Sequence, residues 1–105
     1  MRFNTDEIDK KKLIVIIEAD DADKSVYDFK RFYDSMENWD ITDYIVDVTE
    51  VEYAPTDFLS ILVKIYDICD KKKASRPTLR VKNDSLIMNL LKRAQFDKIF
   101  NMEGV

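Results

Sequence analysis

The chain contains no histidine, one cysteine (Cys69), one glycine (Gly104, next to the C-terminus) and two prolines in 105 residues. Each scarcity removes a class of chemistry. Without imidazole there is no Ser-His-Asp or Cys-His arrangement to take a nucleophile's proton near neutral pH. One thiol cannot build a tetrahedral zinc cage, and it cannot form an internal disulfide. With no glycine in the body of the chain, neither a P-loop nor a dinucleotide-binding turn can bring backbone amides against a phosphate in the usual way. The expectation is a protein that is not an enzyme and carries no cofactor and no metal.

Long apolar runs and a basic surface are also missing. The longest hydrophobic stretches, LIVII (13–17) and FLSILVKIYDIC (58–69), are too short or too interrupted to span a bilayer, and Met1 is followed by the polar segment RFNTDEIDKKK rather than a signal-peptide core. A cytoplasmic protein is expected, with no direct membrane insertion, in a reducing compartment that suits a lone thiol. The net charge is −4, which opposes a nucleic-acid binder whose affinity would come from counterion release by a basic face. The two KKK clusters, at 10–12 and 71–73, lack interleaved aromatics and read as a solvated turn and a helix end.

What is present is a regular alternation of strand and helix patterns. The composition, 46% hydrophobic and 36% charged, suits a single domain over 1–105 with a modest core. FNTDEI (3–8) alternates weakly and turns through DKKK (9–12) into LIVII, whose continuous β-branched character predicts a central strand covered on both faces. After the acidic loop EADDAD (18–23), Ser25 with Asp28 predicts a capping box for a first helix ending near Asn38, with Val26, Phe29, Phe32, Tyr33 and Met36 as its apolar stripe. YIVDVT (44–49) is a second β-branched strand. In the next helix Phe58, Ile61, Leu62, Ile65 and Cys69 share one face, and Leu59, Val63 and Tyr66 widen it.

SRP (75–77) then breaks the chain before the strand TLRV (78–81). Asn83, Asp84 or Ser85 can cap a third helix, with Leu86, Ile87, Leu90, Leu91 and Ala94 buried and Phe96, Ile99 and Phe100 as a last apolar patch. The order β-β-α-β-α-β-α predicts an α/β fold, a mixed and mainly parallel sheet of four to five strands with about three helices on its faces.

One junction stands out as a site. APTD (54–57) lies between the carboxyl end of a strand and the helix that follows it, where α/β sheets carry their ligands. Its residue types also satisfy ordinary helix-start rules: proline for the first helical position, threonine to cap, and aspartate in the first turn against the dipole.

The stretches DYIVDVTEVEYAPTDFLSILVKIYDICDKK and LRVKNDSLIMNLLKRAQFDKIF together resemble a STAS domain, the fold of bacterial anti-sigma factor antagonists. In that family an apolar strand and an Asp-Ser-Ser-Gly type turn open the second helix, and a later strand leads through an Asn and a Ser-type cap into a last helix and tail. The resemblance implies a regulatory module that binds protein partners, many of them serine kinases doubling as anti-sigma factors, which phosphorylate the first hydroxyl of that turn. By position Thr56 is the phosphoacceptor, while Pro55, Asp57 and Phe58 replace the acid, the second hydroxyl and the glycine. Asp23 resembles an acid that the family carries near its partner surface.

The docking segment implied is Pro55, Thr56, Asp57, Phe58 and Ser60, assisted by Asp20, Asp21 and Asp23 of the acidic loop. The chain itself is expected to be a monomer or weak dimer. Within the same family lies an alternative, an accessory subunit bound to the ATPase of an ABC transporter. A different alternative is a receiver-type protein taking phosphate on Asp47 with Mg²⁺ held by the acidic loop, for which too few residues separate Asp20 from Asp47.

Overall fold

The computed structural model describes residues 1–5, 11–24 and 26–105, and only the backbone of Thr5, Ala22, Asp23 and Val26. Five strands form one sheet: β1 (Arg2–Thr5), β2 (Lys12–Ile16), β3 (Asp43–Asp47), β4 (Thr78–Val81) and β5 (Asn101–Gly104), in the spatial order β1-β2-β3-β4-β5. β1 pairs antiparallel with β2, and the other three pairings are parallel. The three helices are α1 (Lys30–Asn38), α2 (Thr56–Lys71) and α3 (Leu86–Arg93). β5 was not expected as a distinct element. NMEG has a single large apolar residue, so its pairing with β4 comes from backbone hydrogen bonds at a sheet edge rather than from a hydrophobic pattern.

The helices follow from one-sided connections. Each parallel step moves one strand further in the same direction, and right-handed crossovers then place every helix on the same face. The burial pattern shows it: Leu13, Val15, Tyr44, Val46, Leu79 and Val81 pack into the core with Phe58, Ile61, Leu62 and Ile65 of α2, while the alternate residues of β2 and β4 are only half-buried. The expectation of β2 as a strand covered on both faces is therefore corrected. Its unbroken apolar run alternates core and half-exposed positions, because no helix packs on the second face among the described residues.

The helix boundaries also differ in detail. Ser25 lies outside the described residues, as does the 6–10 part of the first hairpin; a 3₁₀ turn at Val26–Phe29 precedes α1. On α3 the buried residues are Ile87, Met88 and Leu91, whereas Leu86 and Ala94 are exposed. Of the three possible caps, Ser85 acts, its Oγ accepting the Met88 N–H at 3.0 Å. α2 additionally buries Ile68 and leaves Val63 at the surface.

With no glycine at hand, left-handed backbone falls on other residues: Lys73 (φ 57°) just past α2, Asp84 (φ 55°) before α3 and Gln95 (φ 64°) after it. At the end of α2 the Ala74 N–H reaches the Cys69 carbonyl at 2.9 Å, a Schellman closure built without its usual glycine. Beside it, Lys72 does more than offset a dipole. Its Nζ donates to the carbonyls of Met36 (2.6 Å) and Trp39 (2.9 Å) and to the Tyr44 hydroxyl (3.1 Å), so it ties the end of α2 to the negative end of α1 and to β3.

Candidate functional site

β3 leaves the sheet at Asp47, whose Oδ1 accepts both the Thr49 N–H (2.9 Å) and the Thr49 hydroxyl (2.7 Å). That aspartate turn reverses the chain, and Val48 and Val51 anchor it in the core. Glu52 and Tyr53 then run exposed towards α2. Pro55 is the N-cap (φ −64°, ψ 163°), and its carbonyl accepts the Phe58 N–H at 3.0 Å. Proline thus stands one position earlier than expected, and Thr56 is the first helical residue rather than the cap. A cap side chain must belong to the last non-helical residue, and proline offers no acceptor there, so no side chain caps α2.

The consequence is an exposed Thr56 on the positive end of a sixteen-residue helix, with Asp57 exposed beside it. Ser60 lies one turn on and donates its hydroxyl to the Thr56 carbonyl at 3.2 Å. Phe58 points the other way and is fully buried, so it anchors the helix start in the core and presents no surface to a partner.

The acidic segment is a 3₁₀ turn, Ala19–Asp23, packed near α2 rather than a solvated loop. Asp20 is exposed. Asp21 is 1% exposed and satisfied from within: its carboxylate accepts the Glu18 N–H (2.9 Å) and Lys24 Nζ (2.9 Å), and lies 2.7 Å from the Met1 amino group. It is a structural tie and not part of a docking surface. Burial alone would push its carboxyl up, but the amino group, Lys24 and the Glu18 amide outweigh burial and hold it below its usual 3.8. For the Met1 amino group burial is likewise outweighed by Asp21 and Glu18, so its pKa is raised above 8.0. The Asp23 side chain lies outside the described residues.

Tyr53 (52% exposed) and Leu86 (82% exposed) were not among the expected site residues. Together with Ala54, Leu90, Glu52 and Arg93 they line a cleft of about 330 Å³ beside the Thr56 loop. The only sequence signal for Leu86 is its place directly after the Ser85 cap, where helical periodicity does not yet decide which way a side chain faces.

Among the described residues no group of three or more Cys, Asp or Glu side chains is placed to hold a metal ion, and no helix is long and apolar enough to cross a membrane. The receiver-type alternative fails on topology. A receiver has the doubly wound order 2-1-3-4-5 with helices on both faces, whereas this sheet runs in sequential order with an antiparallel first strand.

No protein-family model matches the chain, and no curated protein matches it in sequence. A solved structure does: the crystal structure of a candidate anti-sigma factor antagonist from Thermotoga maritima is similar over 99% of this chain and 86% of that one, with a TM-score of 0.68 at 14% identity. The mixed, mainly parallel five-stranded sheet and the three helices match the fold of that neighbour. The chain therefore has the STAS fold of the anti-sigma factor antagonists.

Proposed function

We propose that the chain is a non-catalytic, cytoplasmic regulatory module, one domain whose docking face for a protein partner of the anti-sigma factor or serine kinase type is centred on the start of α2. The observation that carries this is the exposed Thr56 hydroxyl at the first position of an uncapped helix, on a fold shared along its whole length with a candidate anti-sigma factor antagonist. Thr56, Asp57, Ser60 and Pro55 form the centre of the face, and Asp20 and Asp23 lie on the neighbouring acidic turn. Asp21 and Phe58 support it from beneath.

Phosphorylation of Thr56 is the switch. The threonine oxygen bonds to the γ-phosphorus of ATP as the bond to ADP breaks, and the hydroxyl proton passes to a base of the kinase. The phosphate is stabilised by the helix's amides and dipole, yet adds about −1.5 to −2 charges beside Asp57 at the point of docking. Titration of the chain against the serine kinase-type anti-sigma factor of the same genome tests the reading. Binding is expected for the native chain, with loss of at least tenfold in affinity for Thr56→Glu and retention for Thr56→Ser. Phosphate incorporated at a residue other than Thr56, or undiminished binding by Thr56→Glu, would remove the switch; absence of binding would remove the partner class.

A further inference from the structure

The helical layer stops short of the first strand, and the gap it leaves is a second cleft. Phe3 of β1 stands directly opposite Val15 of β2, so both side chains lie on the face that carries the helices. Val15 is fully buried there, yet Phe3 is 49% exposed. Across from it, Arg31, Ser35 and Trp39 follow one another at single-turn spacing along α1 and its C-cap. These residues, with Phe32 and the Asp21–Lys24 pair, line a space of about 300 Å³ that shares no residue with the cleft at Tyr53 and Leu86.

One wall is aromatic. Phe3 stacks on Phe32 with ring centres 5.5 Å apart, and Trp39 meets both rings steeply, at 84° and 64°, with its centre 6.0 and 6.2 Å away. Phe3 and Trp39 (36% exposed) keep ring surface free. Free aromatic surface in a concave place, beside a few polar groups, is what a small ligand covers.

The ions of the other walls select the sign of that ligand. Asp21 already holds two of the three lining cations, the Met1 amino group at 2.7 Å and Lys24 Nζ at 2.9 Å. Asp28, which also lines the space, is engaged as well, so neither carboxylate waits for a cationic ligand. Arg31 is the remaining cation, with no carboxylate at ion-pair distance among the described residues. A guanidinium matches a planar carboxylate best, two N–H groups to two oxygens. One unengaged cation offsets one negative charge, far short of what a nucleoside di- or triphosphate brings. The volume stands at the lower bound for small-molecule sites, room for one ring system.

We infer that the cleft between β1 and α1 binds a small aromatic monocarboxylate, its ring against Phe3 and Trp39 and its carboxylate on Arg31. Titration with 2-naphthoate tests it, because Trp39 is the only tryptophan and gives one indole N–H signal in a ¹⁵N-labelled chain. The expected result is a saturable shift of that signal with a dissociation constant of roughly 0.01–1 mM. Neutral 2-naphthamide is expected to bind about tenfold more weakly or worse. Arg31→Gln, a change at an exposed helix position, should weaken the acid by about fivefold or more and leave the amide as it was. Leu86→Ala, in the other cleft, should change neither. No shift up to about 5 mM, equal binding of acid and amide, or tighter binding of 2-naphthylmethylammonium would each overturn the inference. So would an affinity for 2-naphthoate that Arg31→Gln leaves intact or that Leu86→Ala reduces.

Discussion

Single residues inside this protein are asked to satisfy groups that the chain has few other means of satisfying. Asp21 is the clearest case, holding a backbone amide, a lysine and the Met1 amino group from an almost fully buried position. Because its folded pKa lies below 3.8, its contribution is complete above about pH 4 and is lost as pH falls through the lowered value. The amino group, raised above 8.0, contributes fully below pH 8 and loses its share as pH rises past the raised value. Asp21→Asn is therefore expected to lower stability by about 1–3 kcal/mol near pH 6 and to flatten the acid limb of the stability profile, as read by urea melts at pH 3 to 9.

Tyr33 presents the reverse situation. Its hydroxyl is buried without a hydrogen-bond partner among the described residues, and burial pushes it up to about 12. Tyr33→Phe should leave stability unchanged or raise it by about 1 kcal/mol, and a loss above that in the same melts would mean that the hydroxyl has a partner. At this scale the sequence was only partly legible. It marked an acidic segment around Asp20 to Asp23, but nothing in EADDAD tells which aspartate turns inward, since that depends on Lys24 and the distant Met1 arriving at the same point.

At the level of elements, the interiors were read well and the ends poorly. The α2 stripe Phe58, Ile61, Leu62, Ile65, Cys69 is buried as its spacing implied, because 3.6-residue periodicity is a property of many side chains together. Its start was misplaced by one residue, since Pro, Thr and Asp are each acceptable at several positions of a first turn and only the backbone angles of Pro55 separate them. The C-terminal ends bear the cost of a glycine-poor chain. Lys73→Gly, at φ 57°, should stabilise by about 0.5–1 kcal/mol by removing the left-handed strain of a side-chain-bearing residue. Ser85→Ala, which deletes the α3 cap, should cost about 1 kcal/mol. Thermal melts of both variants, expected to move in opposite directions, check the pair.

The whole molecule is a two-layer object, helices over one face of a sheet, and its cooperativity can be followed through its only thiol. Cys69, on the buried face of α2, is 1% exposed, and burial, opposed by the nearby Lys72, pushes its thiol up to about 11. Labelling by a thiol reagent at pH 8 should therefore be slow in the native protein and limited by opening of the fold. Lys72→Met, which unties α2 from α1 and β3, should accelerate it several-fold; an unchanged rate would show that the lysine adds nothing to the barrier or population of opening.

The sequence by itself determined the alternation of strands and helices, the faces of α1 and α2, and the exclusion of histidine-dependent, thiol-cage and glycine-loop chemistry. Those properties are local or compositional, and side-chain period and residue type carry them directly. Only the tertiary structure decided that all three helices lie on one side, that Asp21 and Phe58 turn inward while Thr56 stays at the surface, and that NMEG closes the sheet. Each of those depends on which distant segment covers a given face, and a chain cannot record locally the neighbour that will exclude water from it.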